Sequence, residues 1–215
     1  MTHALVAGGG IGGLAAAIAL RQAGVEALVL EQAQSAALER LGVADAVRAR
    51  SASAERALVR ARSGRVLAQV RYADHGWDLL GIHRADLQEI LLEAAGRERV
   101  RLGARCAGFE AGGDRVRVRL EDGSAEEGDL LVGADGIESV VRDALLGPVA
   151  PRYSGYAGWR AVAPLDLPEL RGIVSETWGP GDRFGLVPIG GGRLYWFVSE
   201  SVAHGTPPHA HPKEE

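Results

Sequence analysis

Cysteine is almost absent from this chain. Cys106 stands alone among 215 residues, which rules out an intrachain disulfide and a metal cluster held by thiolates. A single free thiol suits a reducing compartment, and a cytoplasmic location is expected. Lysine is equally scarce, with Lys213 the one example among many arginines. Formal charge is 24 minus 28, or −4, so no broad positive field exists to recruit nucleic acid or an anionic membrane. No run of about eighteen apolar residues occurs. The N-terminus enters an apolar strand within three residues, which leaves no room for a secretory signal. Neither a membrane nor nucleic acid is an expected partner. What remains is a chain long enough for one large domain, or for one domain and part of another.

Glycine, by contrast, is abundant, and its first cluster is ordered. "HALVAGGGIGGLAAAIALRQAGVEALVLEQ" predicts strand, glycine turn, helix, strand. The strand covers His3 to Ala7, and Gly8, Gly10 and Gly13 follow at GxGxxG spacing. Gly8 allows the tight turn, Gly10 lets the backbone approach a pyrophosphate, and Gly13 lets the helix lie close to the strand. Free N–H groups and the positive dipole end of the helix complete an anion site. Gly24 stops the helix, and Val25 to Leu30 forms a second strand. That strand ends at Glu31, eighteen residues past Gly13, where a carboxylate can accept bonds from both hydroxyls of an adenosine ribose and repels a 2′-phosphate. The site favours FAD or NAD over NADP. A glycine-rich turn without a ligand is the alternative.

The remainder separates the two cofactors. A nicotinamide dehydrogenase would continue with alternating strands and helices, whereas this chain continues with hairpins. One runs from Arg56 to Val70 around Ser63-Gly64. Another pairs Ala104–Ala111 with a strand in which Val116, Val118 and Leu120 alternate with arginines, across a turn at Gly112-Gly113-Asp114. Between them "GIHRADLQEILLEAAG" predicts a helix with Leu87, Ile90, Leu91, Ala94 and Ala95 on one face and Arg84 at its start. "LLVGADGIESVVR" then reads as a buried apolar strand ending at Asp135-Gly136. Ligands of α/β sheets collect beyond such strand ends. An Asp before a helical segment also serves as a cap with no ligand present, and both roles can coexist. The expected fold is a Rossmann-like α/β FAD-binding domain with an antiparallel β excursion, followed by an incomplete β-rich substrate domain.

"GGGIGGL", "IHRADL" and "LLVGADGIESVVR" together resemble the class A flavoprotein monooxygenases, the aromatic hydroxylases of the p-hydroxybenzoate and salicylate hydroxylase type. "SGYAGWRAV" and "ETWGPGDRFGLVPIGGGRLYWF" resemble the opening strands of that family's substrate domain. The matches run from Leu5 to about Phe197 but correspond to roughly the N-terminal half of a typical member. The resemblance implies FAD as cofactor and NADH or NADPH as a transient reductant bound without a domain of its own. It implies transfer of one oxygen atom from O₂ to a small aromatic substrate. It places Asp135-Gly136 in a turn associated with flavin pyrophosphate and reduced nicotinamide, and Arg84 near the flavin's ribityl or phosphate region. An exposed arginine paired with Asp86 or Glu89 is the plainer reading of Arg84. Arg160 is the candidate to meet an acidic substrate, with a structural role as its alternative. Trp159, Trp178, Phe184, Tyr195 and Trp196 either line a substrate chamber or, as aromatics alternating along strands, pack as core. No nucleophile elbow, metal triad or paired carboxylate is evident, and flavin chemistry needs none.

Two departures from the family pattern stand out. Only Gln32 to Ala36 separate Glu31 from "ALERLGVADAV", where the family places a longer, ring-shielding segment. After Phe197 the chain lacks the Gly-Asp segment that holds the ribityl chain, and ends in "SESVAHGTPPHAHPKEE". The expected division is residues 1–150 for the FAD-binding domain, 151–199 for the start of the substrate sheet and 200–215 for a disordered tail, where His204, His209 and His211 read as solvated rather than as metal ligands. A truncated product, a piece, or half of a split enzyme completed by a second chain all fit. The competing functions are a related FAD oxidoreductase such as a halogenase or reductase, and a fragment that binds nucleotide without redox activity.

Overall fold

Apolar strands close the first part of the chain into layers. The computed structural model describes residues 2–7, 11–31 and 41–205. The chain divides into two units, Met1–Ser51 with Ile82–Pro151 and Ala52–Gly81 with Arg152–Glu215. This differs from a linear break at residue 150, because the hairpin in 52–81 belongs with the later strands. Expected tail residues 200 and 201 continue a strand, and 206–215 lie outside the described residues.

The first unit opens with β1 (His3–Ala7), α1 (Ile11–Gln22) and β2 (Glu26–Glu31). The helix ends in a Schellman arrangement: Gly24, at φ 79°, donates its N–H to the Arg21 carbonyl, and the Val25 N–H reaches that of Leu20. After α2 (Ala44–Arg50), the chain runs through β3 (Ala52–Ala61), β4 (Val66–Arg71) and β5 (Leu79–Gly81) of the second unit. It returns as α3 (Arg84–Ala95), β6 (Val100–Leu102), β7 (Cys106–Gly112), β8 (Arg115–Leu120), β9 (Ala125–Gly128), β10 (Leu130–Gly133) and α4 (Val140–Leu146).

A four-stranded sheet has the order β10-β1-β2-β6, with β1 parallel to both neighbours. Leu5 and Ala7, wholly buried, meet Val118 and Leu120 of the antiparallel β7-β8-β9 sheet together with Ala104, Cys106 and Val141. Alternation on β8 explains this, since its apolar residues turn inward while Arg115, Arg117 and Arg119 face out. Ala4 and Val6 leave the opposite face of β1, which α1 covers with Leu14, Ala17 and Ile18. Arg21 of α1 donates to the Ala94 and Ala95 carbonyls at 3.2 and 2.8 Å, so a cation closes the C-terminal end of α3. Expected apolar-face residues Leu87, Ile90, Leu91 and Ala95 are buried and Ala94 is half-buried.

The second unit continues with β11 (Tyr156–Ala163), β12 (Gly172–Trp178), β13 (Asp182–Ile189) and β14 (Arg193–Ser201). With β3 to β5 these form one seven-stranded sheet, ordered β11-β14-β13-β12-β3-β4 with β5 also on β3. All its pairings are antiparallel except β12 with β3. The hairpin turn at Gly64 stands where the sequence placed it. Among the described residues, no helix is long and apolar enough to cross a membrane.

Candidate functional site

Strand register builds the candidate site. Ala7, the last residue of β1, pairs with Leu30 of β2 on one side and with Gly133 of β10 on the other. The carboxyl ends of three parallel strands therefore stop at one level. Chain order reverses at β1, since β2 and β6 lie to one side and β10 to the other. Such a switch point is where an open α/β sheet leaves a crevice for a ligand.

Onto this rim the register sets the residues singled out above. Gly8 and Gly10 lie outside the described residues, between the end of β1 and the start of α1. Gly13 is buried in the first turn of α1, in keeping with a helix that lies close to the sheet. Glu31 is the last residue of β2, one step beyond the partner of Ala7; its carboxylate lies outside the described part of the structure. Gln32 to Ala36, the shortened connection, also lie outside it.

On the other side, the Ala134 N–H donates to the Ala7 carbonyl at 2.6 Å, carrying the β10 pairing one residue past the strand. Asp135 follows at once and is half-buried. Its carboxylate accepts from the Ser139 hydroxyl and, at 3.2 Å, from the Val141 N–H. Ser139 in turn caps α4 by accepting the Arg142 N–H at 3.0 Å. The capping reading of Asp135 is thus seen directly. Two bonds leave a carboxylate with further lone pairs, so the cap does not consume its capacity to accept. Gly136 takes φ 85°, and a side chain there would meet nothing within 4 Å, so the turn is open on that side. Gly133 is the reverse case: a Cβ there would press on Val141, and the missing side chain lets α4 close against the strand.

Beneath the rim, Cys106 is buried, which pushes its thiol above the usual range, and the Asp135 charge acts in the same direction. Arg84 opens α3 at an exposed position. Of the two carboxylates expected as its partners, Glu89 is bound by Arg97.

Arg160 lies on β11 of the second unit, exposed, opposite Phe197 of β14. Register puts it with Tyr195, Phe197, Trp178 and Arg183 on one sheet face, while Trp159, Phe184 and Trp196 leave the other. Of the two readings of these aromatics, chamber lining or core packing, full burial as core is seen at none of the five. All five named aromatics are half-buried or exposed, because the sheet carries a face of large rings on each side. His204 meets Tyr153 edge-on at 5.1 Å, and His209 and His211 lie outside the described residues.

Two features escaped the sequence. β10 is an edge strand with Leu130 44% exposed, not a buried one, because among the described residues only β1 pairs with it. Gln88 is buried within the apolar face of α3, and its Oε1 has no partner among the described residues. A polar residue inside an otherwise apolar helical stripe was the available signal. An unpaired buried acceptor is rare in folded proteins.

Comparison with known proteins bears on this crevice. Residues 1–178 match the family described as FAD binding domain. The chain is 39% identical over 230 residues to aurachin C monooxygenase/isomerase of Stigmatella aurantiaca, covering 98% of this chain and 60% of the relative. It is 34% identical to 3-hydroxybenzoate 6-hydroxylase 1 of Aquipseudomonas alcaligenes, covering 96% and 59%. The crystal structure of Klebsiella pneumoniae HpxO complexed with FAD and uric acid superposes with a TM-score of 0.84 at 31% identity, covering 95% of this chain and 57% of that one. The chain therefore spans about 60% of the length of the curated relatives it matches.

Proposed function

The chain belongs to the FAD binding domain family, and from that premise we propose that it is the flavin-binding part of an FAD-dependent monooxygenase acting on a small aromatic molecule. The observation that carries the proposal is the common level at which β1, β2 and β10 end, with Glu31 on one flank and Asp135-Gly136 on the other. In this reading the N–H groups opening α1, around Gly8, Gly10 and Gly13, hold the pyrophosphate. Glu31 accepts from the adenosine ribose. Asp135 holds the turn rigid through Ser139 and Val141 and offers its remaining lone pairs, while Gly136 leaves room for close approach. Arg84 supplies positive charge toward the phosphates or ribityl chain, and Arg160 orients an acidic substrate. When bound there, FAD would supply the redox chemistry, with NADH or NADPH as reductant and O₂ as oxidant. The chain's own part is binding, orientation and exclusion of water.

We further propose that a second polypeptide segment covers the first unit at β10. In support, parallel sheets are ordinarily covered on both faces and at their edges. Here Leu130 is exposed on the edge strand and Leu145 is 67% exposed on α4. Between them and the β7–β8 hairpin lies a groove of about 460 Å³ whose walls include Phe109, Val116, Leu131 and Val141. A reducing cytoplasm is the inferred setting, given one free buried thiol. The chain spans about 60% of the length of these relatives, and the second reading is a part that binds nucleotide without turnover on its own.

Visible spectroscopy separates the two. A yellow protein whose colour is bleached by NADH or NADPH without oxygen supports the monooxygenase. A protein that takes up FAD but is never bleached supports the fragment, and one with no saturable uptake overturns both.

A further inference from the structure

Two arginines of the second unit are held side by side on one sheet face, neither of them in an ion pair among the described residues. Arg56 on β3 and Arg71 on β4 are register partners in the antiparallel hairpin, so both side chains leave the same face of the sheet. Like charges directly opposed weaken a strand pair. Among the described residues neither guanidinium has an ion-pair partner, whereas Arg62, in the same hairpin's turn, is paired with Asp182.

Beside this pair lies a cavity of about 610 Å³, bounded by the two arginines, Ser53, Gln69, Tyr72 and Trp77. All its lining residues belong to the second unit. The segment after β4 shapes its aromatic wall. Gly76 at φ 67° reverses the chain, its N–H donates to the Ala73 carbonyl, and the Trp77 N–H donates to the Tyr72 carbonyl at 3.1 Å. The Trp77 ring is stacked on His75 with centroids 4.8 Å apart and lies 6.3 Å from the Tyr72 ring. Neighbours thus hold the indole in place, yet Trp77 remains 54% exposed. Two acids also border the cavity. The Glu55 carboxylate is turned toward Gly172 of β12, where an added Cβ would come within 3.0 Å of its Cδ, and Asp78 has an interaction of its own.

We propose that this cavity binds a small aromatic anion, its carboxylate or phosphate on Arg56 and Arg71 and its ring on Trp77. Guanidinium groups match both head groups with paired N–H donors. A fixed indole face adds stacking that an aliphatic acid cannot match. The bound charge removes the repulsion across the hairpin, so binding and hairpin stability are coupled.

The test uses the full chain without FAD and follows the Trp77 indole N–H resonance, assigned with Trp77→Phe, during titration with benzoate, phenyl phosphate and cyclohexanecarboxylate. The expected result is a saturable shift with benzoate or phenyl phosphate. Whichever of the two binds more tightly identifies the head group. Cyclohexanecarboxylate should bind distinctly more weakly. Arg56→Ala and Arg71→Ala should each weaken the aromatic anion by about tenfold or more, the scale of one lost charge-assisted pair. Without anion they should melt no lower than the parent chain, since they relieve opposed charges. Arg65→Ala, an exposed arginine outside the cavity, should change neither. An unmoved indole resonance, equal affinity for cyclohexanecarboxylate and benzoate, or undiminished binding in both arginine variants would overturn the proposal. Because no flavin is present, none of these outcomes depends on the nucleotide crevice.

Discussion

The two units solve the problem of burying strands in opposite ways. In the first, β1 is sandwiched between α1 and the β7-β8-β9 sheet, and its residues from Ala4 to Ala7 have no exposed surface. In the second, strands of seven to ten residues such as β3, β12, β13 and β14 pair over long ladders, yet Leu58, Tyr72, Ile173, Ile189 and Leu194 are its only buried apolar side chains among the described residues. One unit is stabilised chiefly by side-chain packing and the other chiefly by backbone pairing. The lesson concerns function. A packed β1 fixes the level of the crevice, so the candidate nucleotide site is rigid where the strands end. An open sheet with large rings on each face keeps surface available for ligands or for further protein.

Substitutions at matched positions sharpen the contrast. Leu5→Ala should cost about 3–5 kcal/mol of stability, because it empties a fully enclosed site. Phe184→Ala, at a ring 41% exposed on β13, should cost about 1 kcal/mol or less. Urea denaturation of both variants checks this, and equal costs would mean the second sheet is covered in solution. In the crevice, Gly10→Val should lower FAD affinity by at least about 100-fold, or about 2.7 kcal/mol. Glu31→Ala should lower it by about 1–3 kcal/mol if the ribose bonds form; overlapping fluorescence titrations would displace the adenosine from this strand end.

Smaller effects separate the two duties of Asp135. Ser139→Ala removes the α4 cap and should cost about 1 kcal/mol of stability with FAD affinity unchanged. Asp135→Ala should reduce both, whereas loss of stability alone would leave Asp135 as a cap and nothing more. The smallest effect lies in the β8–β9 turn. There the Ser124 hydroxyl and N–H, followed by Arg101, hold the Asp122 carboxyl below the ordinary carboxylate range. A depressed folded value means the contribution to stability is present above the unfolded value near 3.9 and fades as pH falls through the folded one. NMR titration should find Asp122 ionised at lower pH than in Ser124→Ala; identical curves would remove the serine from the explanation.

Local chemistry was legible in the sequence. β1 and α1 with its Gly24 stop, the Gly64 hairpin, α3, and the inward valines of β8 all follow from patterns that span a turn or a strand. What escaped depends on partners distant in the chain. β3 pairs in parallel with β12, joining Ala57 to Val174, and alternation within the hairpin says nothing about which sheet receives it. β5 and β6, of three residues each, exist only through such pairing. "LLVG" has the composition of a buried strand, but burial is set by what lies beside it, and among the described residues β10 has one strand neighbour. The candidate crevice was readable as separate motifs at Gly8 to Gly13, Glu31 and Asp135. Their common level was not, because it rests on the register of Ala7 with Leu30 and Gly133.

Calorimetric titration of the purified chain with FAD, ADP and FMN tests that crevice most directly. If backbone amides and a strand-end acid grip the adenosine diphosphate, FAD and ADP bind at one shared site, ADP displaces FAD, Glu31→Ala weakens both alike, and FMN binds far more weakly. FMN binding as tightly as FAD, with ADP unable to compete, would contradict the account.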